Sequence, residues 1–259
     1  VQLHHGGLRT PEDLIGEPPV CPSGSEKHGA RAMTLAEVIE LRGNFIAAAL
    51  RAQRAGYDGV EVHGAHGYLL TQFLSRKTNQ RQDAYGGSLE NRARLLFEIV
   101  DGIRAACGED FLLGVRLSPE RFGMELDEVK TISQRLIDEG RVDFLDISLW
   151  DVFKQPEGAV ADAPSLLSHF TALDWKEVRL TVAGKIYGGR EATAVLDAGV
   201  DFVTIGRSGI LHHDFPVRVM EDPDFRPASR PVTADYLRRE GLGEAFIDYL
   251  GSWEGFVEG

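Results

Sequence analysis

Two histidines and a tyrosine lie within six residues of one another: His63, His66 and Tyr68. Such a group can hold a metal ion, because histidine is the commonest metal ligand. It can also donate hydrogen bonds to a substrate oxygen, with the tyrosine as a proton donor. A solvated loop without chemistry is the third interpretation. A metal needs at least one more ligand, which His4 or His5 could supply, and the pattern favours the oxygen-binding role.

Two further segments have the chemistry of a phosphate site. Gly184 and Lys185 follow one apolar run, and Gly206 and Arg207 follow the next. Glycine lets backbone N–H groups approach phosphate oxygens, a helix N-terminus adds positive potential, and arginine is a bidentate donor. Ordinary turns also use glycine. However, two neighbouring segments of this type, one with an arginine, predict phosphate binding.

Arg116 ends a third apolar run, Leu112–Arg116. An arginine at the end of a buried strand is costly to bury without a partner. It therefore indicates either a bound anion or polar ring, or an internal ion pair with Glu61 or Asp146. The residues alone leave these two alternatives open.

Strands that alternate with helices must position these residues. Three times a glycine ends a helical segment and a short buried strand begins soon after it. The predicted strands are Gln2–His5, Gly59–His63, Leu112–Leu117, Phe144–Ser148, Leu180–Ala183 and Phe202–Ile205. The predicted helices are Thr34–Ala55, Ser88–Ala106, Leu126–Glu139 and Gly189–Ala198. This alternation predicts parallel βαβ units, with long loops at 11–29 and 149–170.

Two α/β architectures fit this order, an open doubly wound sheet and a (β/α)8 barrel. An open dinucleotide-binding sheet would carry G-x-G-x-x-G after its first strand, and that motif is absent. Polar residues instead follow nearly every strand, and in a barrel those strand ends converge on one mouth. We therefore predict a TIM barrel and, without a linker or composition break, a single domain over 1–259.

The number of units leads to an expectation about the chain itself. Six strand–helix units are present, whereas a barrel of about 250 residues has eight. The first residue is Val1, within a predicted strand. We expect the chain to supply strands 3–8 of a longer enzyme, with the first two units absent.

Composition narrows the class of partner. The chain has 259 residues and a net charge of −12, which disfavours non-specific binding to nucleic acid or an anionic membrane. No apolar run approaches the roughly 20 residues of a membrane span. The two cysteines, Cys21 and Cys107, provide no disulfide framework and fit a reducing, cytoplasmic compartment.

Five segments, in this order, resemble the Old Yellow Enzyme family of FMN-dependent oxidoreductases. They are Gln2–Gly7, Gly59–Leu69, Asn79–Arg92, Val115–Ser118 and Ile205–Arg207. The third matches N-x-R-x-D-x-Y-G-G-S-x-x-N-R, the most specific family signature. On its residues alone it indicates a structural loop held by Arg–Asp pairs. In one departure from the family pattern, Leu8 separates the second glycine from Arg9.

The resemblance implies a non-covalent FMN across the barrel mouth, with NADPH or NADH as reductant. Gln2 and Arg116 would contact the isoalloxazine ring. The phosphate would be held at Gly184, Lys185, Gly206 and Arg207. The reduced flavin would pass hydride to the activated C=C bond of an α,β-unsaturated carbonyl or nitro compound.

The resemblance also implies roles for the first group of residues. His63 and His66 would bind the carbonyl or nitro oxygen of this small-molecule alkene, and Tyr68 would protonate its α-carbon. No metal, nucleic-acid or membrane partner is expected, and self-association into a homo-oligomer is left open.

Other functions stay open beside this one. A dienoyl-CoA reductase-like or amine dehydrogenase-like flavoenzyme would carry an iron–sulfur cluster, for which the two cysteines are not a ligand set. A metal-dependent barrel hydrolase would use His63 and His66 as ligands. A flavin-binding protein without catalysis is a further alternative.

Overall fold

The computed structural model describes residues 1–258 and has a six-stranded parallel sheet at its centre. The strands of this part of the chain are β1 Gln2–Leu3, β2 Val20–Cys21, β3 Arg31–Ala32, β4 Gly59–Gly64, β5 Leu112–Leu117, β6 Phe144–Ser148, β7 Arg179–Ala183 and β8 Phe202–Thr204. The central sheet has the order β1-β4-β5-β6-β7-β8, and β2 pairs with β3 separately.

Helices connect the consecutive strands of this sheet, and further helices follow β8. They are α1 Glu12–Ile15, α2 Leu35–Arg54, α3 Leu69–Leu74, α4 Leu89–Cys107, α5 Leu126–Glu139, α6 Leu166–Thr171, α7 Gly189–Asp197, α8 Arg207–Leu211, α9 Phe215–Glu221, α10 Ala234–Arg239 and α11 Glu244–Gly251. Each strand of the central sheet is parallel to the next one along the chain. This is the strand order of a β/α barrel, with β1 and β8 at the two edges of the described sheet.

All six predicted strands are present, with small differences at their ends. The prediction for the first strand was too long, because β1 ends at Leu3 and both His4 and His5 follow it. β8 ends at Thr204, one residue before the predicted end. His4, His5, Gly206 and Arg207 therefore lie beyond their strands, whereas His63, Arg116 and Ser148 lie in the last residues of β4, β5 and β6.

The four predicted helices are also present. Thr34 and Glu37 form the reciprocal capping box that their spacing predicts at the start of α2. The predicted long loops contain short elements that were missed: α1 and β2 lie within 11–29, and α6 begins within 149–170 and ends one residue beyond it. Elements of two to six residues have too short a hydrophobic period to be recognised in a sequence.

The strands of the central sheet divide apolar and polar side chains between their two faces. Val62 and Val115 are fully buried in the main core, which the helices cover. The alternate positions carry polar groups, because successive side chains of a strand point to opposite faces. The backbone register places His63, Arg116 and Asp146 side by side on β4, β5 and β6. The titratable side chains of these three strands therefore lie next to one another on one face of the sheet.

The loop of the family signature is held by its own polar side chains. The Asn79 side-chain amide donates to the carbonyl oxygens of Phe73 and Tyr85, both at 2.7 Å. Arg81 pairs with Asp83 at 2.5 Å, as the Arg–Asp prediction required. These contacts hold the loop that connects α3 to α4, so the signature residues have a structural role at these positions.

Arg92 fixes this loop to two helices, and its replacement should be strongly destabilising. Its side chain is 1% exposed, donates to the carbonyl oxygens of Leu74 and Gly87, and pairs with Glu128 at 2.7 Å. We expect Arg92→Met to lower the free energy of unfolding by about 3 kcal/mol, because it leaves buried acceptors unpaired. The measurement is urea unfolding at pH 7. Arg190→Met, which removes an exposed arginine, is the control and should leave the unfolding midpoint close to that of wild type.

The last part of the chain forms a second, smaller core. Its buried members are Leu211, Val232, Leu237, Ile247, Leu250 and Phe256. Helices α10 and α11 provide three of these six residues, and α8 provides Leu211. The single-domain organisation stays a prediction.

No helix within residues 1–258 is both long and apolar enough to cross a membrane.

Candidate active site

A cleft of about 270 Å³ opens at the carboxyl ends of β5 to β8. It brings together five of the six side chains or backbone segments predicted to bind the cofactor: Arg116, Gly184, Lys185, Gly206 and Arg207. The loops after β7 and β8 form one wall, as expected for a phosphate site in a barrel.

Gly184 brings two backbone segments into close contact at the floor of this cleft. Its φ is +152°, and a Cβ at this position would lie 2.8 Å from backbone atoms of Trp150 and Asp151. A larger residue would have to push the β6–α6 loop away. Lys185 extends this contact, since its Nζ lies 2.9 Å from an Asp151 carboxylate oxygen.

Arg207 follows β8 in the lining of the cleft and is held by aromatic residues. It donates from Nη1 to the Tyr187 hydroxyl at 3.0 Å, and its guanidinium carbon lies 5.9 Å from the centre of the Trp253 ring. A Cβ on the adjacent Gly206 would meet nothing within 4 Å. The backbone at Gly206 therefore faces open space next to a fixed guanidinium, which suits an anionic group.

The histidines and the tyrosine of the first motif form a separate aromatic cluster. The ring centres of His63 and His66 are 5.0 Å apart, and Tyr68 lies 5.5 Å from His63. His4 meets the Tyr68 ring edge-on at 4.3 Å, and the Arg9 guanidinium lies 4.8 Å from the centre of that ring. The structure thus brings together the three residues predicted to act on substrate.

Ser148 joins this cluster to the cleft. Its hydroxyl is 2.7 Å from His66 Nε2 and 3.4 Å from Arg116 Nη2. The backbone N–H of His66 is held in turn by the Ser118 hydroxyl at 3.0 Å. The sequence places Ser148 at a strand end but gives no sign of this bridge, because its partners are 32 and 82 residues away along the chain.

Arg116 has an internal carboxylate partner, and of the two candidates it is Asp146. The Arg116 Nε lies 3.2 Å from Asp146 Oδ2. The contact is a charge pair without an aligned hydrogen bond, since Arg116 Nε and Asp146 Oδ1 both lack a hydrogen-bond partner. Glu61 instead accepts from the Gln2 side-chain amide. The ion pair does not exclude a bound ring, because Arg116 also lines the cleft.

Gln2 is the predicted cofactor residue that the structure leaves apart from the cleft. Its side chain is exposed and donates to Glu61 across the β1–β4 pair. It lines a groove with His4 and His5 on the other side of β1. Among residues 1–258, no three histidine, cysteine, aspartate or glutamate side chains form a group that could hold a metal ion.

Both histidines of the cluster are neutral at ordinary pH. Burial, with smaller contributions from His66, Arg116 and His4, lowers the pKa of His63 to about 3. Burial, followed by the charges of Arg116 and Arg9, lowers the pKa of His66 to about 4. A neutral imidazole has one N–H donor and one acceptor nitrogen. Each ring can therefore donate one hydrogen bond to a substrate oxygen without carrying charge.

These shifts predict that acid destabilises the ligand-free chain. Histidines with a lowered native pKa stabilise the fold above about pH 6.5 and lose that contribution as the pH falls. Asp146 acts in the opposite direction, because burial raises its pKa to about 7 and the fold then gains stability as this carboxyl is protonated. Burial also lowers the pKa values of His4 and His5, so four histidines act against one aspartate. We expect a net loss of at least about 1 kcal/mol between pH 7 and pH 5.

Urea unfolding of wild type and of His63→Gln at several pH values checks this prediction. The variant lacks one of these histidines, so it should lose about 2 kcal/mol less than wild type over the same range. An acid loss in the variant as large as in wild type would contradict the assignment to His63.

Strained backbone is concentrated at the mouth. Among residues 1–258, seven non-glycine residues have positive φ, and five of them closely follow β4, β5, β6 or β7: His66, Arg121, Phe122, Trp150 and Lys185. Left-handed conformations cost energy in such residues and are often found at functional sites.

Trp150 and Tyr187 line the cleft but were not predicted as site residues. An aromatic residue in a loop gives no signal of its own in a single sequence.

Comparison with known proteins agrees with this geometry. Residues 1–224 match the model of the NADH:flavin oxidoreductase / NADH oxidase family. The chain belongs to this family. The resemblance to Old Yellow Enzyme is thereby confirmed, and so is the barrel fold, since a solved Old Yellow Enzyme homologue from Zymomonas mobilis superposes with a TM-score of 0.71 at 30% identity. That comparison covers 91% of this chain and 69% of the homologue.

Two curated relatives add further comparisons within the NADH:flavin oxidoreductase family. A probable NADH-dependent flavin oxidoreductase of Bacillus subtilis is 38% identical over 232 residues, which are 85% of this chain and 62% of the relative. A probable flavin mononucleotide-dependent alkene reductase of Leishmania infantum is 34% identical over 225 residues, 84% of this chain and 57% of the relative. The chain thus spans about three-fifths of the length of each.

FMN is the cofactor of this family, with NADH or NADPH as reductant, and the cleft has suitable groups for it. Arg207 and the open backbone at Gly206 provide a cation and donors for a phosphate. Arg116, whose Nε lacks a hydrogen-bond partner, provides a cation for the ring system. The chemistry of both ends of the cleft is therefore that of a flavin nucleotide site.

Proposed function

We propose that this chain carries the FMN site and substrate-activating residues of an enzyme that reduces the C=C bond of α,β-unsaturated carbonyl or nitro compounds. One observation carries the proposal. The neutral pair His63 and His66 lies beside Tyr68 and is joined through Ser148 to Arg116 in the cleft. Donors for an oxygen, a proton source and a cation for a flavin thus occupy one mouth. The name of the Leishmania alkene reductase supports the same substrate class.

The proposed cofactor site uses the loops after β7 and β8 together with Arg116 on β5. Arg207 and the backbone at Gly184, Lys185 and Gly206 bind the phosphate of FMN. Arg116 contacts the isoalloxazine, and Gln2 would have to turn away from Glu61 to reach its pyrimidine end. FMN supplies the hydride chemistry, accepting hydride from NADH or NADPH and delivering it to the alkene. The protein contributes binding, orientation and the charge near the ring.

The proposed substrate site uses the aromatic cluster. His63 and His66 each donate a hydrogen bond to the carbonyl or nitro oxygen and so stabilise the negative charge that develops there. Their lowered pKa values keep them neutral, so they polarise this oxygen without protonating it. Tyr68 then donates its phenolic proton to the α-carbon. Ser148 orients His66 through the 2.7 Å contact.

Anaerobic turnover tests this proposal. The chain is loaded with FMN, and NADH or NADPH oxidation is followed at 340 nm with and without 2-cyclohexenone. We expect oxidation that depends on the alkene and yields cyclohexanone. A chain that binds FMN but oxidises neither nucleotide faster with 2-cyclohexenone, 2-methylcyclohexenone or 1-nitrocyclohexene would overturn the proposed substrate class. A chain that binds no FMN would overturn the proposed cofactor site.

A further inference from the structure

A buried carboxyl group lies beside Arg116 and has no part in the steps described above. Asp146 is 1% exposed in the middle of β6. Its Oδ2 accepts a hydrogen bond from the Thr204 hydroxyl at 3.2 Å, and its Oδ1 has no partner. A buried carboxylate with an unpaired oxygen is costly, so its position next to Arg116 calls for a functional explanation.

Each of the strands β4, β5, β7 and β8 contributes a charged or polar group to the surroundings of Asp146. Arg116 approaches from β5, with its Nε 3.2 Å from Oδ2. Glu61 on β4 adds a like charge, and it raises the pKa of Asp146. On β7 and β8 the facing groups are hydroxyls, since Thr181 and Thr204 lie 3.0 Å apart.

These surroundings make the charge of Asp146 adjustable. Burial is the largest influence and raises its pKa to about 7, while Arg116 and the Thr204 hydroxyl act in the opposite direction. A small change of charge near Arg116 therefore changes the fraction of Asp146 that is protonated at neutral pH. Arg116 itself faces the cleft in which the isoalloxazine is proposed to bind.

We propose that Asp146 is a positioning residue for Arg116, and that it takes up a proton from solvent when the flavin beside Arg116 is reduced. The role rests on the proposed FMN site. Hydride from NADH or NADPH brings two electrons and one proton to the flavin and leaves a negative charge next to Arg116. That charge weakens the hold of Arg116 on the carboxylate, and a second proton converts Asp146 from carboxylate to carboxylic acid. When the flavin gives up its hydride, the proton returns to solvent.

The pH dependence of the flavin midpoint potential tests this role. Potentials of the FMN-loaded chain are measured spectroelectrochemically from pH 5.5 to 8.5. We expect a steeper slope in wild type than in Asp146→Asn, because wild type binds up to one more proton per two electrons near neutral pH. Asp143→Asn is the matched control. Asp143 immediately precedes β6 and pairs with Arg104 at 2.7 Å, away from the cleft. This control should lower stability and leave the slope at the wild-type value.

A second variant keeps the test valid if Asp146→Asn folds poorly. Thr204→Val removes the hydroxyl donor to Asp146 and keeps the side-chain shape. It should raise the carboxyl pKa and move the steep part of the curve to higher pH. Slopes and positions equal to wild type in Thr204→Val, or in a folded Asp146→Asn, would overturn the role of Asp146 alone. A wild-type chain that binds no FMN would overturn the proposed function together with this role.

Discussion

Replacing His63 or His66 with alanine should lower kcat/KM for alkene reduction by about 10²–10³-fold, the cost of removing one donor from an oxyanion site. The reason is that each neutral ring contributes a single N–H to the oxygen on which negative charge develops. The two rings are 5.0 Å apart, so both can contact the same oxygen. The steady-state rate with 2-cyclohexenone is the measurement, with FMN affinity determined in parallel.

The two histidines should not contribute independently. Donors to a single oxygen act as a unit, so the double variant should be little worse than the more impaired single variant. His169→Ala, which changes a half-buried histidine on α6 outside the cluster, is the control and should keep the wild-type rate. An alanine variant at either position with FMN bound and a wild-type rate would contradict the role of that histidine.

The architecture could be predicted from the sequence because the signals for it are local. Each strand of the central sheet is a short apolar run, and Gly140 ends α5 in the left-handed conformation that the pattern indicated. The capping box at Thr34 likewise needs only two residues three positions apart. Such features depend only on residues that are close together in the sequence, so they can be recognised without knowledge of the rest of the fold.

The candidate site could be predicted only in part, because its connections are long-range. Strand ends identified Arg116, Arg207 and the histidines, since parallel strands bring these ends to one mouth. Ser148 as a bridge and Asp146 as the partner of Arg116 depend on the register between strands. A single sequence does not encode that register in any local pattern, so the choice between Glu61 and Asp146 needed the structure.

Tyr68→Phe should slow alkene reduction by about 10²–10⁴-fold, the usual contribution of a positioned general acid. The variant removes only the phenolic O–H. The aromatic contacts with His4 and His63 remain, so binding of FMN should not change. Reduction of FMN by NADPH needs no proton from this phenol, and its rate in stopped-flow should stay within about 3-fold of wild type. Tyr249→Phe, at an exposed position on α11, is the control.

The product of 2-methylcyclohexenone gives a second and independent measure of the same role. A fixed phenol protonates the α-carbon from one face, so wild type should form one enantiomer of 2-methylcyclohexanone. Without the Tyr68 hydroxyl the proton comes from water, which can reach either face of the α-carbon. The variant should therefore form a mixture of the two enantiomers. A Tyr68→Phe chain that keeps both the wild-type rate and the single enantiomer would show that the proton has another source. The Arg9 guanidinium, 4.8 Å from the centre of the Tyr68 ring, would then be the next group to replace.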